Sequence, residues 1–160
     1  MNIFGLQFKE KIIKIILCIL YFGNLFYIFF LARQRRGPTL PWDKRHLNLK
    51  PLKYKIDFFG SHLNLSNSES RAFYFELFGN IILFIPFAFF LVWVFHINSF
   101  RKIMVISLIT TTLTELLQLI FSIGVADIDD IILNMLGTAI GILILKLLFK
   151  VKAISKYEKK

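Results

Sequence analysis

Four stretches of the chain, residues 12–32, 73–97, 103–123 and 126–149, each run for about 20 residues or more with mostly apolar side chains. That is the length a helix needs to cross about 30 Å of hydrocarbon at about 1.5 Å per residue. In lipid every backbone N–H and C=O must be satisfied internally, and the alternating pattern of barrel strands is absent, so the runs are predicted to be helices. The composition agrees, since 56% hydrophobic residues with 19 Phe in 160 residues exceeds what a soluble domain of this size can bury. The expected fold class is therefore all-α integral membrane, with four transmembrane helices in a small bundle forming one domain over residues 1–160. A long basic loop, residues 33–72, joins helices 1 and 2. Lys9, Lys11 and Lys14 precede the first run as in a secretory signal. That run is nevertheless too long, lacks a small-residue cleavage site and continues into Arg33, Arg35 and Arg36, so it reads as a permanent anchor. The lone Cys18 excludes an internal disulfide and reads as a packing residue.

Four spans put both termini on one side. Eleven of the twenty basic residues fall at the termini and in the Arg101–Lys102 turn, and nine fall in the first loop and its flanks. The positive-inside rule then favours cytoplasmic termini in a plasma membrane, with the first loop extracellular. The net charge of +10 is divided between two membrane faces, which argues against nucleic-acid binding. Membrane lipids are the partners the sequence makes certain, whereas the oligomeric state has no signature in it.

Polar residues inside the spans carry the functional signal, because an ionisable group at membrane depth costs roughly 2.5–3.5 kcal/mol or more and faces a bundle interior or wet cavity. Asn80, Glu115 and Asn134 each lie about 10–12 Å from the outer end of their spans. Glu76 and Asn80 are spaced i,i+4, Glu115 and Gln118 i,i+3, and Asp127, Asp130 and Asn134 i,i+3,i+7, the last stripe continuing through Gly137 and Gly141. Three stripes at one depth predict a convergent outward-opening site between helices. Asp129 falls off its stripe and is expected at the headgroups, and Glu76 is expected to be simply solvated. Gly137 and Gly141 form a small-xxx-small pair for close helix packing, and Pro86 removes a helical hydrogen bond below Asn80.

Simpler readings of the same residues stand beside this one. Asp127 and Asp129 sit where an N-cap and the helix dipole suffice to explain acidic side chains. Asn134 and Gln118 can be interhelical hydrogen bonds with no further task. Arg45, or one of Arg33, Arg35 and Arg36, could fold over the acidic site and neutralise Glu115 or Asp130. The first loop's basic residues, interleaved with Trp42, Tyr54, Phe58 and Phe59, could grip lipid phosphates. No cofactor is required. If a metal is held, Mg²⁺ or Ca²⁺ on Glu115, Asp127 and Asp130 suits the oxygen ligands, whereas His46, His62 and His96 show no zinc spacing.

The order of these elements resembles the VanZ-like family of small bacterial membrane proteins. An R-x-x-N-L-x-P element (Arg45, Asn48, Leu49, Pro51) is followed by N-x-x-x-F-x-P (Asn80, Phe84, Pro86), T-E-x-x-Q (Thr114, Glu115, Gln118) and D-x-D-D-x-x-x-N-x-x-G (Asp127, Asp129, Asp130, Asn134, Gly137). The chain departs from the family pattern at Gly124, where relatives tend to carry a basic residue, and at Leu52, where they tend to carry an aromatic.

What the resemblance implies is a role at the cell envelope in lowering susceptibility to lipoglycopeptide antibiotics, teicoplanin more than vancomycin. Asn80, Glu115, Gln118, Asp127, Asp130, Asn134, Arg45 and Asn48 are then the candidate ligand-binding residues. Their ligand would be the acylated drug or an amphiphilic envelope molecule such as a lipid-linked cell-wall precursor. The alternative is a metal-assisted or acid–base hydrolase or transferase acting on an envelope lipid, which leaves catalysis an open question. A structural partner subunit is a third reading, and it predicts that folded polar-stripe mutants still work.

Overall fold

The structure, a computed structural model, describes residues 3–32, 47–53, 55–57, 68–121, 123 and 126–157. Arg33, Arg35, Arg36, Trp42, Arg45, His46, Tyr54, Phe58, Phe59, His62 and Gly124, singled out above, lie outside these residues. Helix α1 (Ile3–Phe26) continues as a π-helical turn (Tyr27–Ala32). Three further helices follow, α2 (Ser68–Trp93), α3 (Phe100–Ile120) and α4 (Ile128–Tyr157). Four segments are long and apolar enough to cross a membrane, Phe8–Leu31, Phe73–Trp93, Phe100–Ile120 and Ile128–Phe149, so the protein is a multi-pass membrane protein.

The bundle is built around α4, whose most extensive packing is with α2 and then with α3. Glycine spacing explains the first of these. A Cβ at Gly137 would run into the carbonyl of Ile81, and one at Gly141 into the carbonyl of Ile85 and, at 3.0 Å, the Ala88 methyl. The two glycines therefore let the α4 backbone lie directly on α2, the approach that small-xxx-small pairs permit. Pro86 sits on α2 between these contacts, and α2 runs through it from Ser68 to Trp93.

Helix α1 is attached differently, through aromatic rings. Tyr21 stacks on Phe90 at 4.6 Å, Phe22 meets Phe87 edge-on at 6.3 Å, and Phe29 lies 6.2 Å from Phe84. The Tyr21 hydroxyl donates to the Leu83 carbonyl at 2.7 Å. Leu25, Phe29, Phe84, Phe87, Ala88, Leu91, Ile103 and Ile142 form the buried apolar core. Many other large apolar side chains, such as Ile19, Phe75 and Leu143, are exposed to the surroundings, as lipid-facing surfaces require.

One piece of the first loop is tied to the far end of the chain. Strand β1 (Leu47–Asn48) pairs in parallel with β2 (Ala126–Asp127), setting Leu47 beside Ala126 and Asn48 beside Asp127. Leu52 and Lys55, further along the same loop, then reach back to the start of α4.

Candidate functional site: a strapped carboxylate–amide cluster

Helix α3 presents one polar stripe to the interior. Ser107, Thr111, Glu115 and Gln118 are all buried, at i,i+4,i+8,i+11 spacing. Helix α4 faces it with Asp130, Asn134 and Thr138, and α2 contributes Asn80. Because these groups are shut away from water and lipid, each must find a partner within the bundle. Asn134 Nδ2 donates to Thr111 Oγ1 at 2.7 Å, Ser107 and Thr138 share a hydrogen bond of 2.7 Å, and Asn80 Nδ2 donates to Asp130 Oδ1 at 2.5 Å. Gln118 turns the other way, its Nε2 donating at 3.0 Å to the carbonyl of Phe29 in the π-helical end of α1. Four helices are thereby joined at one level.

The start of α4 is organised by its own acids. Asp127 is its N-cap, its Oδ1 accepting from the Asp129 N–H at 2.8 Å. Glu115 Oε2 accepts from the Asp127 N–H at 3.0 Å, so the α3 carboxylate holds β2 in place. Asn48 Nδ2 donates to Asp127 Oδ1 at 2.9 Å and reinforces the strand pairing with a side-chain bond.

Residues 47–53 and 55–57 form a strap across this cluster. Leu52 has a φ of 56°, in the left-handed region that a bulky residue rarely adopts, and its N–H reaches Asp129 Oδ1 at 2.6 Å. Lys55, only 4% exposed, places its ammonium 3.2 Å from Asp129 Oδ2 and 3.5 Å from Glu76 Oε1. Burial alone would lower the lysine pKa, but the carboxylates of Glu76, Asp127 and Asp129 outweigh it and hold the ammonium above the usual lysine range. Asp127 shifts upward, chiefly because burial disfavours its charge. The bonds from Asp129 N–H and Asn48 oppose that shift, and the neighbouring Asp130 charge adds to it.

Two expectations are corrected. Asp129 does not face the headgroups but is fully buried, because the strap covers the first turn of α4 and supplies both the Leu52 N–H and the Lys55 ammonium. Glu76 is not merely solvated: its side chain is 44% exposed, yet its carboxylate is paired with Lys55. The acidic triad also differs from the expected one. Glu76, Asp127 and Asp130 have carboxylate oxygens within 4.8 Å of one another, while Glu115 is engaged with the Asp127 backbone. The expected arginine partners lie outside the described residues, and Lys55 is the described cation at the site. Ser107, Thr111 and Thr138 were not anticipated, although extending each polar stripe by one or two more i,i+4 steps reaches them. Lys55, in a basic loop with no helical period, has no such signal.

Glu115 is 3% exposed, Asp130 1% and Asn134 0%, so the polar residues are packed against one another beneath the strap. A cavity of about 520 Å³ lies at the opposite end of the bundle, against the first half of α1.

A family model described as VanZ/LLP1 matches residues 15–149. The Protein VanZ of Enterococcus faecium is 34% identical over 108 residues, which make up 65% of this chain and 65% of that protein. The chain thus spans just under two-thirds of the length of the curated relative it matches. No solved structure matches it.

Proposed function

The chain belongs to the VanZ/LLP1 family, and from that premise we propose that it lowers bacterial susceptibility to lipoglycopeptide antibiotics such as teicoplanin. In this reading the protein sits in the plasma membrane with cytoplasmic termini, and the strapped cluster faces the outer leaflet. An amphiphilic envelope molecule, either a lipid-linked cell-wall precursor or the acylated drug, binds there when the strap lifts. Its polar head would meet Glu115, Gln118, Asp130 and Asn134, and its chain would lie along the lipid-facing helices.

The observation that carries this reading is the strap itself. A loop segment pinned through Asn48, Leu52 and Lys55 onto buried acids from another helix makes a cover held by a few bonds rather than by an apolar core. Polar groups at such depth are costly unless used. The test is teicoplanin and vancomycin susceptibility of a sensitive Gram-positive host expressing wild type, Glu115→Gln and Asp130→Asn at matched membrane levels. Selective protection against the acylated drug by wild type alone is expected. Equal protection by both variants would remove the cluster from the mechanism, and no protection by any version would remove the resistance role.

A second reading, a cation-assisted hydrolase or transferase for an envelope lipid, is favoured by the grouping of Glu76, Asp127 and Asp130. Oxygen ligands at that spacing suit Mg²⁺ or Ca²⁺. Thermal stabilisation of the purified protein by either ion, lost in Asp130→Asn, would bring this reading forward, and a flat titration would remove it.

A further inference from the structure

The cavity at the other end of the bundle is bounded by the first half of α1 and the turn between α2 and α3. Its rim is basic, with Lys11 and Lys14 on α1 and His96 on the turn. Glu10 also lines it, but its carboxylate is paired with Lys14 at 2.9 Å, which leaves positive charge in excess. Lys14 Nζ stands 5.3 Å from the centroid of the Trp93 ring, a cation–π contact that fixes the ammonium at the mouth. His96 has a φ of 55°, a strained conformation for a residue with a Cβ, and it lies in the turn that closes the rim.

One to two turns further along α1 the lining becomes apolar, with Ile15, Cys18 and Ile19 facing Val94. Ile15 and Ile19 are 49% and 66% exposed, so the cavity opens sideways toward the hydrocarbon. The gap has a cause in the packing, since the aromatic seam joining α1 to α2 begins at Tyr21, and before it the Lys14–Trp93 contact bridges the two helices at the mouth.

We infer that this cavity binds an anionic phospholipid, with the phosphate on Lys11, Lys14 and His96 and the upper acyl chain against Ile15, Cys18, Ile19 and Val94. A basic mouth above an apolar floor at the membrane interface matches that ligand in both charge and depth. A zwitterionic lipid would bring a second cation to a rim whose lining carboxylate is already engaged. None of these residues belongs to the strapped cluster, so this site is independent of the reading above.

The test uses the full chain carrying Trp42→Phe, which leaves Trp93 as the sole tryptophan. It is reconstituted in phosphatidylcholine vesicles containing a minor fraction of either brominated phosphatidylglycerol or brominated phosphatidylcholine, and tryptophan quenching is read. Quenching should favour the anionic lipid by about fivefold or more, the worth of one interfacial charge. Lys11→Gln with Lys14→Gln should bring the two lipids to parity. Lys102→Gln, an exposed basic residue at the same end that does not line the cavity, should leave the preference intact. Added inorganic phosphate should displace nothing. Equal quenching in the parent protein, or a preference that survives the double substitution, would overturn the site, and displacement by inorganic phosphate would make it a soluble-anion site instead. Where the double variant fails to insert, Val94→Phe, which narrows the apolar floor and leaves the charges, is read instead: a weakened preference for the anionic lipid is expected, and an unchanged one would overturn the site.

Discussion

Lys55 and Asp129, 74 positions apart in the chain, meet as a buried ion pair of 3.2 Å that fastens the first loop to the first turn of α4. Both side chains are shielded, at 5% and 0% exposure, so neither charge can fall back on water if its partner is removed. Breaking such a pair by deleting one member costs about 3–5 kcal/mol, much of it the penalty of stranding the other charge. Lys55→Met or Asp129→Asn alone is expected to lower the thermal midpoint in detergent more than the two together. A double-mutant cycle reads the coupling directly, and simple additivity would show that the pair does not hold the strap.

The same lysine sets a pH expectation. Its folded pKa is raised, so its contribution is complete below the unfolded lysine value of about 10.4 and is lost only as pH rises through the folded value. Stability measured from pH 6 to 9 should therefore show no loss assignable to Lys55. A Lys55-dependent fall inside that window, absent in Lys55→Met, would contradict the assignment.

Asp127 follows the same sign, here for a carboxyl. A raised carboxyl pKa means that the folded state prefers the protonated form, so its favourable contribution is present at low pH and disappears as pH rises through the raised value. The side chain is retained for the hydrogen bonds it accepts from Asn48 and from the Asp129 N–H. Asp127→Asn keeps an oxygen for Asn48 and the Asp129 N–H and is expected to be nearly neutral, whereas Asp127→Ala loses the cap and should cost about 0.5–2 kcal/mol. Chemical denaturation of the two variants separates these cases.

Glycines divide into two kinds by what surrounds them. Gly137→Ala or Gly141→Ala forces a methyl into a backbone carbonyl of α2 and should destabilise by about 1–3 kcal/mol. Gly79→Ala meets nothing within 4 Å and should stabilise by up to about 1 kcal/mol through helix propensity. Heat-induced aggregation of the three variants gives the order.

Leu52 offers a gain. Its φ of 56° is held against steric preference, and glycine adopts that region freely. Leu52→Gly should keep the N–H donation to Asp129 while relieving about 1–2 kcal/mol of backbone strain, offset in part by the larger unfolded-state entropy of glycine. A melting temperature at or above wild type is expected, and a clear drop would mean that the Leu52 side chain contributes packing.

The span pattern was legible because membrane helices announce themselves by length and composition, and the amides and acids on α3 and α4 were legible because a 3.6-residue period places Gln118 on the face of Glu115 and Asn134 on that of Asp130. Asp129 was misjudged for the same reason: a helical wheel knows only its own helix, and Asp129 is buried by a loop. Lys55 and Leu52 belong to that loop, where a single chain gives no periodicity to follow and where the shared partner Asp129 lies more than 70 residues away. Gln118 was found, but not its acceptor, since the widened π-helical turn at Phe29 leaves no mark in an unbroken apolar run.

The parallel pairing of Leu47–Asn48 with Ala126–Asp127 also fixes an order of events during synthesis. The first two helices enter the bilayer with Asn80 in place, and Asn48 and Lys55 wait on the loop between them. Asp127, Asp129 and Asp130 emerge from the ribosome only with the last helix. Until then Asn48 and Asn80 wait for their carboxylate acceptors and Lys55 has Glu76 without Asp129, so a chain stopped before residue 126 is expected to be a substrate for membrane quality control rather than a smaller working protein.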